Sequence, residues 1–408
     1  MAQGTVETPK THDLGAAANA KVGNSSVRLL DRVVWRDAAL IWLLQHALLF
    51  GVLYVGASFL LPGVTNTSGV SWSYVGRLLA GWDGANYAQI AQQGYSQLWT
   101  AAFSPLLPAV EHMLAPLFGG NAALAGAIVA NAAALGAFGL LRWLVADLDG
   151  PQTAWRTVFL LAIFPTAFFL VLPYTESLFL LLSVGTFVAL RLRRWLVAGV
   201  LAALATLCHT HGLLLLLPMA AVLVGDLRRD RRLPSLPTAA AIVAGFAAPL
   251  AAFAGFVVYL HARFGVWGAT ALAQAQGGGK SFELPVVGFL RAGRALFQFG
   301  PNLSLYQAHI FVDGAFTLAF IALTAATIHR LPLAYVLYAW GHLLLDLCTP
   351  AHNWYALTSN MRYMLVVFPL FILLGRWSAR PAVEHALLLV ALPLLALFFV
   401  AFLRVFVA

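Results

Sequence analysis

The chain has 408 residues, of which 61% are hydrophobic and 10% are charged, and its mean hydropathy is +0.84. A soluble protein carries about a quarter charged residues, so this composition excludes an ordinary soluble domain. The net charge of +9 is explained by where the basic residues lie, and we expect no nucleic-acid partner. Apolar runs long enough to cross the ~30 Å hydrocarbon core of a bilayer recur along the whole length.

Hydropathy predicts about eleven membrane-spanning helices, because helices satisfy all of their backbone polar groups inside lipid. The predicted spans are 38–62, 121–145, 157–173, 175–192, 195–208, 212–225, 238–261, 309–328, 331–348, 362–376 and 383–404. The expected fold class is therefore all-α, a polytopic transmembrane helical bundle. We expect residues 1–37 to form a disordered cytoplasmic tail, since their first part is polar and small, and residues 38–404 to form one transmembrane domain.

The placement of lysine and arginine predicts the orientation of the bundle. With the N-terminus in the cytoplasm, 17 of the 24 Lys and Arg residues lie on the cytoplasmic side and 7 on the other side. The positive-inside rule favours this arrangement, and the basic runs at 191–194 and 228–232 would otherwise lie outside. Usage rich in Ala, Leu, Gly and Arg is typical of a bacterium. The expected location is therefore the bacterial plasma membrane, as a multi-pass integral protein.

The predicted outer side carries two long loops, 63–120 and 262–308, and most of the unusual polar residues. Within the first loop, the short apolar segment 105–118 predicts a re-entrant or interfacial helix. Within the second loop, 281–300 predicts an amphipathic surface helix. The run Gly-Gly-Gly-Lys-Ser at 277–281 lacks the first glycine and the strand–helix context of a phosphate loop, and it predicts a flexible loop near an acceptor site. Chemistry or binding is expected on the extracytoplasmic face.

Three charged residues are candidates for function. Asp83 is a lone carboxylate on a short loop after the first span, where an enzyme at a membrane surface would hold a catalytic base, although it could also be the N-cap of a short helix over 86–93. Glu176 falls in the first turn of a span, where the helix dipole alone favours an acid. Arg362 opens a span at its outer end, where the dipole disfavours it, so it needs an anionic partner. That partner is either a phosphate or Asp346, which is itself costly inside a span without a partner.

His209 and His211 lie at a tight corner between two short spans, where Gly212 serves the turn. Corner histidines are ordinary. A metal site built from the two and a carboxylate is possible, but the His-x-His pattern alone is weak, and we predict no metal site. Cys208 and Cys348, the two cysteines, are interpreted as ordinary buried thiols.

An ordered set of motifs accompanies these residues. Trp-Asp-x-x-x-Tyr-x-x-Ile-Ala-x-x-Gly-Tyr lies at 82–95, Phe-Ser-Pro-Leu-Leu-Pro at 103–108, Phe-Pro-Thr-Ala with Tyr-Thr-Glu-Ser at 164–177, Ala-Thr through Gly at 205–212, and Arg-Tyr with Phe-Pro at 362–369. The set resembles the glycosylphosphatidylinositol mannosyltransferase family of the class V type, over about residues 80 to 376. One departure is that the family usually has Arg where this chain has His209.

The resemblance implies a C-type membrane glycosyltransferase fold and a defined reaction. A sugar, mannose in that family, moves from a polyprenyl-phosphate donor to an acceptor hydroxyl at the outer face, with inversion and without a metal or other cofactor. It implies that Asp83 is the general base. The cations available for the donor phosphate are then Arg362, His209 and His211. Substrate-binding residues are expected at Trp82, Tyr87, Tyr95, Tyr174 and Glu176, and the acceptor is a glycolipid, a glycan or a protein.

A transporter or lipid flippase without catalytic activity remains the alternative. It would also have many spans and a few buried charges. It predicts charged groups at mid-membrane depth, discontinuous helices and substrate access from both sides. The candidate charges here cluster at one face, which favours the enzyme.

Overall fold

The structure, a computed structural model, describes residues 29–60, 65–66, 69–277, 279–298, 305–352, 355–357 and 359–403. Within these ranges the chain is built of helices, apart from one antiparallel pair of two-residue strands, β1 (Thr65–Asn66) and β2 (Gly69–Val70). The predicted all-α fold class is confirmed.

The α-helices follow one another with short connections. In chain order they are α1 (Arg32–Leu60), α2 (Trp72–Leu79), α3 (Asp83–Gln93), α4 (Leu106–Leu114), α5 (Ala122–Asp149), α6 (Pro151–Ala162), α7 (Glu176–Arg191), α8 (Trp195–Cys208), α9 (Leu216–Asp230), α10 (Leu236–Phe264), α11 (Ala269–Gly277), α12 (Val287–Gln298), α13 (Leu305–Thr327), α14 (Leu333–Leu347), α15 (Asn360–Met364), α16 (Phe368–Trp377) and α17 (Pro381–Phe402). Turns of 3₁₀ helix cover Leu98–Ala102, Ala115–Phe118, Ala167–Leu170 and Thr210–Leu215.

Six helical segments are long and apolar enough to cross a bilayer. They are Arg32–Gly56, Ala122–Asp149, Thr210–Asp230, Leu236–Phe264, Gln307–Thr327 and Pro381–Phe402. Each of the eleven predicted spans overlaps a helix. Six of them overlap these long segments, and the other five overlap shorter helices. The chain is therefore an integral membrane protein by the length and composition of its helices.

Two predicted spans are broken rather than continuous. The helix expected over 157–173 is α6, which begins earlier, at Pro151, and ends at Ala162. The chain beyond it carries Pro165 and Pro173, and a residue before proline is pushed out of the helical region. The span expected over 362–376 is divided into α15 and α16, because Pro369 lies in the first turn of a new helix, where proline is tolerated.

The N-terminal boundary of the bundle also differs from the expectation. Helix α1 begins at Arg32, inside the segment predicted to be a disordered tail over 1–37. The Asp31 carboxylate accepts a hydrogen bond of 2.8 Å from the backbone N–H of Val33, which satisfies a donor at the helix start. Residues 1–28 of the predicted tail lie outside the described residues.

Ion pairs identify one end of the bundle. Arg191, at the end of α7, contacts Asp147 at 2.6 Å, and Arg376, near the end of α16, grips Asp149 with two contacts of 2.6 and 2.7 Å. Both acids lie in the last turn of α5. The starts of α7 and α15 therefore lie at the opposite end of the bundle, away from the basic loops.

Candidate functional site

Arg362 joins three distant segments of the chain at that opposite end. Its Nη1 donates to Asp83 Oδ2 at 2.7 Å, and its Nε donates to the Glu176 carboxylate. Asp83 is the first residue of α3, Glu176 is the first residue of α7, and Arg362 lies in α15. The Glu176 and Arg362 side chains are 5% and 6% exposed, whereas Asp83 is 27% exposed. The Asp83 carboxylate is thus the open edge of an otherwise buried triad.

Two sequence interpretations are wrong at this point. Asp83 is not an N-cap, because α3 begins at Asp83 itself and Trp82 occupies the cap position. Arg362 does not pair with Asp346, because the nearer anions are the two carboxylates at the starts of α3 and α7. The alternative in which the helix dipole alone accounts for Glu176 is incomplete, since the carboxylate also binds Arg362.

The guanidinium of Arg362 also lies against aromatic rings. Its Cζ is 5.1 Å from the ring centre of Phe169 and 5.0 Å from that of Tyr174, both from the segment between α6 and α7. Cation–π contacts of this kind favour a charge that has left bulk water. Thr166 of the same segment donates to the carbonyl of Met361 at 3.2 Å, which fixes α15 beside it.

Strained backbone precedes both Asp83 and α15. Trp82 has φ of +55° and Ser359 has φ of +69°, values that residues other than glycine rarely adopt. Such strain costs about 1–3 kcal/mol per residue and persists only where the surrounding packing imposes it. Trp82 is held by a bond from its Nε1 to the carbonyl of Phe402 at 3.3 Å. The packing therefore enforces the positions from which Asp83 and Arg362 meet.

A chain of hydrogen bonds connects the two predicted histidines to Asp346. Nε2 of His211 lies 2.8 Å from Asp346 Oδ1, and Nδ1 of His211 lies 2.6 Å from Nδ1 of His209. Nδ1 of His209 also accepts the backbone N–H of His211 at 3.3 Å, which starts the 3₁₀ turn after α8. The partner of Asp346 is thus His211, within a side-chain pair that is 11% and 1% exposed.

These contacts define where the protons lie. Because His209 Nδ1 accepts from the backbone, it carries no proton, and the 2.6 Å contact must be donated by His211. On its other side, Nε2 of His211 faces the carboxylate of Asp346 at 2.8 Å, so both ring nitrogens of His211 have a partner. Burial lowers the pKa of His209 well below its usual value, and the charges of His211 and Arg362 lower it further. His209 is therefore the neutral member, with Nε2–H left to donate.

Gly212 permits the tight corner that carries both histidines. A Cβ on Gly212 would lie 2.2 Å from the backbone nitrogen of Thr206 and 2.4 Å from the carbonyl carbon of Ala205. Only glycine allows the returning chain to pack this closely on the last turn of α8. The corner thus presents His209 and His211 to α14 and α15.

A small enclosed cavity lies between the histidines and Glu176. Its volume is about 10 Å³, enough for about one water molecule. Its lining consists of Thr175, Glu176, Phe179, His209, His211, His342, Tyr363 and Val366. Glu176, His209 and His211 therefore border a common space, and Glu176 links it to Arg362 and Asp83. The cavity is too small for a sugar or a phosphate.

His342 is a site residue that sequence reasoning missed. It is fully buried on α14, its Nδ1 donates to the carbonyl of Tyr338 at 2.9 Å, and its Nε2 has no partner among the described residues. The signal was available, because His342 stands four residues before Asp346 and a helix places such residues on one face.

The predicted substrate-binding aromatic residues are mostly turned inward. Tyr174 is fully buried and its hydroxyl donates to the carbonyl of Gly81 at 3.2 Å, so it holds the turn before Asp83. Tyr87 is buried, with its ring edge-on to Phe103 at 5.2 Å. The hydroxyl of Tyr95 donates to the carbonyl of Phe103 at 2.9 Å. Trp82, which is 45% exposed, is the one presented to the surroundings in this structure.

A much larger cleft of about 710 Å³ adjoins the other end of α3. Its walls are α3 with the following turn, α4, Leu207 of α8, and the stretch of α10 from Ala251 to Tyr259. The lining is predominantly apolar, and its few polar groups include Gln92, Tyr95 and His112. The cleft lies close to both parts of the site along the chain, because Ile90 on its wall is seven residues after Asp83 and Leu207 is two residues before His209.

The described residues form neither a metal-binding cluster nor a disulfide. Across the described ranges, no group of three or more His, Cys, Asp or Glu side chains is arranged to hold a metal ion. Cys208 and Cys348 are both free thiols.

Comparison with known proteins gives the fold its name. No family model matches the sequence, and no curated protein matches it. Among solved structures, ArnT from Cupriavidus metallidurans bound to undecaprenyl phosphate is similar with a TM-score of 0.51 and 13% identity, over 85% of this chain and 62% of that one. The present chain therefore spans about three fifths of the length of that relative, and the likeness shows the fold alone: a C-type glycosyltransferase fold.

Two further solved structures are similar to the chain at lower TM-scores. The oligosaccharyltransferase of Archaeoglobus fulgidus in the apo form has a TM-score of 0.40 at 13% identity, and AglB from the same organism, in complex with an inhibitory peptide and a dolichol-phosphate, has 0.37 at 14%. Each similarity covers 88% of this chain. It covers 56% of the apo oligosaccharyltransferase chain and 55% of the AglB chain. These scores are too low to support an argument about the site.

Proposed function

We propose that the chain is a membrane glycosyltransferase that moves a sugar, mannose by its motifs, from a polyprenyl-phosphate donor to an acceptor hydroxyl on the extracytoplasmic face. The observation that supports it is the meeting of Asp83, Glu176 and Arg362, from three of the five resembling motifs, at the end of the bundle away from the basic loops. The N-terminus lies in the cytoplasm in this proposal, as the positive-inside rule favours.

The chemistry requires one base at the exposed edge of the site. As the acceptor oxygen bonds to the sugar C1, its proton passes to Asp83 and the bond from C1 to the phosphate oxygen breaks, with inversion at C1. A positioned carboxylate contributes about 10²–10⁴-fold to such a step. Asp83 suits this role because it is the only member of the triad with appreciable exposure. Glu176 and Arg362 hold it in place from the buried side.

Phosphate binding by Arg362 takes a narrower form than the sequence predicts. Its Nε–H and one N–H of Nη1 are occupied by carboxylates, so a fork that includes Nε is not available to the phosphate while both contacts persist. The N–H groups of Nη2 and the second N–H of Nη1 remain, together with Nε2–H of His209. His211 is unsuited to a direct contact, because both of its ring nitrogens already have partners in His209 and Asp346.

The polyprenyl chain of the donor fits the 710 Å³ cleft. An isoprenoid needs an apolar channel, and the lining supplies one close to both α3 and the histidine corner. The transporter alternative has less support, because the charged triad and the cleft both adjoin α3. Access from two sides would require a path between the ends.

The test is transfer of radiolabelled sugar from a panel of polyprenyl-phosphate sugars to membrane acceptors by the purified chain in nanodiscs. Asp83→Asn keeps the size of the side chain but removes the base, and we expect turnover to fall about 10²–10⁴-fold without any weakening of donor binding. Asp230→Asn, at the basic end, is the matched control and should turn over like wild type.

Near wild-type turnover by Asp83→Asn would remove Asp83 as the base. Absence of transfer from every donor in the panel by the wild-type chain, combined with movement of labelled lipid between leaflets, would favour the flippase instead.

A further inference from the structure

Lys280 reaches the site from the second outer loop. Its Nζ donates to the hydroxyl of Tyr363 at 3.3 Å and lies 4.9 Å from the centre of that ring. Tyr363 follows Arg362 directly and packs against both histidines, with ring centres 5.7 Å from His209 and 5.6 Å from His211. An amine from a loop nearly 70 residues after the histidines therefore lies at the rim of the same site.

The backbone around Lys280 holds it there. Lys280 forms an antiparallel bridge with Ala351, and the N–H of His352 donates to the carbonyl of Gly279 at 2.7 Å. Gly279 has φ of +59°, a conformation that suits glycine and turns the chain into the bridge. Three residues after Lys280, Glu283 accepts a hydrogen bond from Arg291 at 2.8 Å. The position of Lys280 is thus built into the loop.

Charge balance at the site leaves Lys280 as the unmatched cation. Arg362 faces two carboxylates, Asp83 and Glu176, so the triad has an excess negative charge. Asp346 is already paired with His211. Lys280 contacts no carboxylate within ion-pair distance among the described residues. The nearby buried acid Asp313 feels its charge, but its oxygens have no hydrogen-bond partner in that part of the chain.

An incoming phosphodiester carries one negative charge, and the carboxylate excess of the triad repels it. Binding it requires a cation that is not already neutralised by the protein. Resting on the function proposed above, we infer that Lys280 Nζ, with the hydroxyl of Tyr363, binds the phosphate of the lipid donor. Lysine suits this task as a compact point charge on a flexible stem, which can follow the phosphate as charge develops on it.

The sequence contains an overlooked signal for this role. Lys280 is the only lysine after position 21, because every other basic residue from there onward is arginine or histidine. The glycine run before it does not match a nucleotide loop. Gly279, with φ of +59°, gives the turn that delivers one amine to the site.

The first experiment measures binding of undecaprenyl phosphate, without sugar, to the full chain in nanodiscs. Lys280→Met removes the charge but keeps the apolar stem, and we expect affinity about tenfold to a hundredfold weaker, as for loss of a hydrogen bond to a charged group. Lys280→Arg should recover most of it. Arg294→Met removes an exposed cation from the same loop and should bind like wild type. Equal affinity for Lys280→Met and Arg294→Met would overturn the inference.

The second experiment follows acylation of Lys280 by an amine-reactive ester, mapped by mass spectrometry. Undecaprenyl phosphate should slow modification of Lys280 while leaving Lys10 and Lys21 unchanged. This readout does not depend on the folding of any variant. Unprotected Lys280 at saturating lipid would also overturn the inference. Equal protection by inorganic phosphate at the same concentration would overturn the assignment to a lipid donor.

The two proposals can fail separately. If the chain transfers no sugar but Lys280 governs undecaprenyl phosphate binding, the glycosyltransferase proposal fails and the phosphate site stands. If the chain transfers sugar with unchanged donor affinity in Lys280→Met, only the phosphate site fails.

Discussion

At the scale of single residues, the decisive feature is that one arginine serves two acids. Removing one partner of a buried pair typically costs about 3–5 kcal/mol, because a charge is left without compensation. Glu176 and Arg362 are buried and meet that condition, whereas Asp83 is 27% exposed and is partly hydrated. Asp83 is therefore the carboxylate that can leave Arg362 at least cost.

Because Asp83 can leave Arg362 at least cost, we predict that Asp83 and the donor phosphate compete for Nη1 of Arg362. Asp83→Asn removes the competing anion, so we expect undecaprenyl phosphate to bind several times more tightly although turnover falls. Isothermal titration or a fluorescent lipid analogue would measure the affinity. Weaker binding by Asp83→Asn would mean that Asp83 supports the donor site rather than competing with it.

Arg362→Lys tests the geometry of the same group. Lysine keeps the charge, but it cannot hold the planar fork that directs separate N–H groups at Asp83 and Glu176 while lying against the rings of Phe169 and Tyr174. We expect a lower thermal midpoint and loss of most activity. Arg294→Lys, on the exposed face of α12, is the control and should change neither.

At the scale of elements, the histidine corner depends on a close approach between α8 and the turn that follows it. Gly212→Ala would place a Cβ 2.2 Å from a backbone nitrogen, and overpacking of this kind costs about 1–3 kcal/mol or more. We expect a lower thermal midpoint and a disturbed pair of His211 with Asp346.

Gly225→Ala is the matched control for that change. It lies in α9 with nothing within 4 Å of the added methyl group. Alanine is favoured over glycine in a helix by about 0.5–1 kcal/mol, so this variant should be as stable as wild type or more so. An equal loss of stability in both variants would show that the corner is less tightly packed than the structure indicates.

Local sequence patterns predict these elements better than they predict their contacts. Hydropathy located the spans, and proline accounts for the two that are broken, at Pro165 and Pro369. The partner of Arg362 could not be read from the sequence, because Asp346, 16 residues away, is a closer candidate along the chain than Asp83, 279 residues away. Ion pairs between helices depend on how the helices pack, which no short window of sequence contains.

For the same reason, some residues of the candidate site could be recognised in the sequence and others could not. Asp83 stood out as a lone carboxylate on the loop after the first span, Glu176 as an acid in the first turn of a span, and Arg362 as a base where the helix dipole disfavours one. Lys280 and His342 did not, since a loop lysine and a buried histidine are ordinary until their neighbours are known.

At the scale of the whole molecule, the cleft beside α3 that we propose for the polyprenyl chain is distinct from the charged triad. Gly255 lies on its wall with open space around it, so Gly255→Trp should fill part of the cleft. We expect weaker binding of the long-chain donor and little change for a donor with a short, water-soluble chain. Gly51→Trp adds the same side chain on α1 in open space away from the cleft and is the control. Equal loss for both donors would place the polyprenyl chain elsewhere.

The triad has a further consequence for how the protein is made. Arg362 is synthesised 186 residues after Glu176, which is about 10–40 s of translation at ~5–20 residues per second. During that interval the nascent bundle holds an acid at a helix start whose countercharge is still in the ribosome. Glu176 must remain hydrated or protonated until α15 is inserted, so a polypeptide released before residue 362 carries an unneutralised acid into the bilayer.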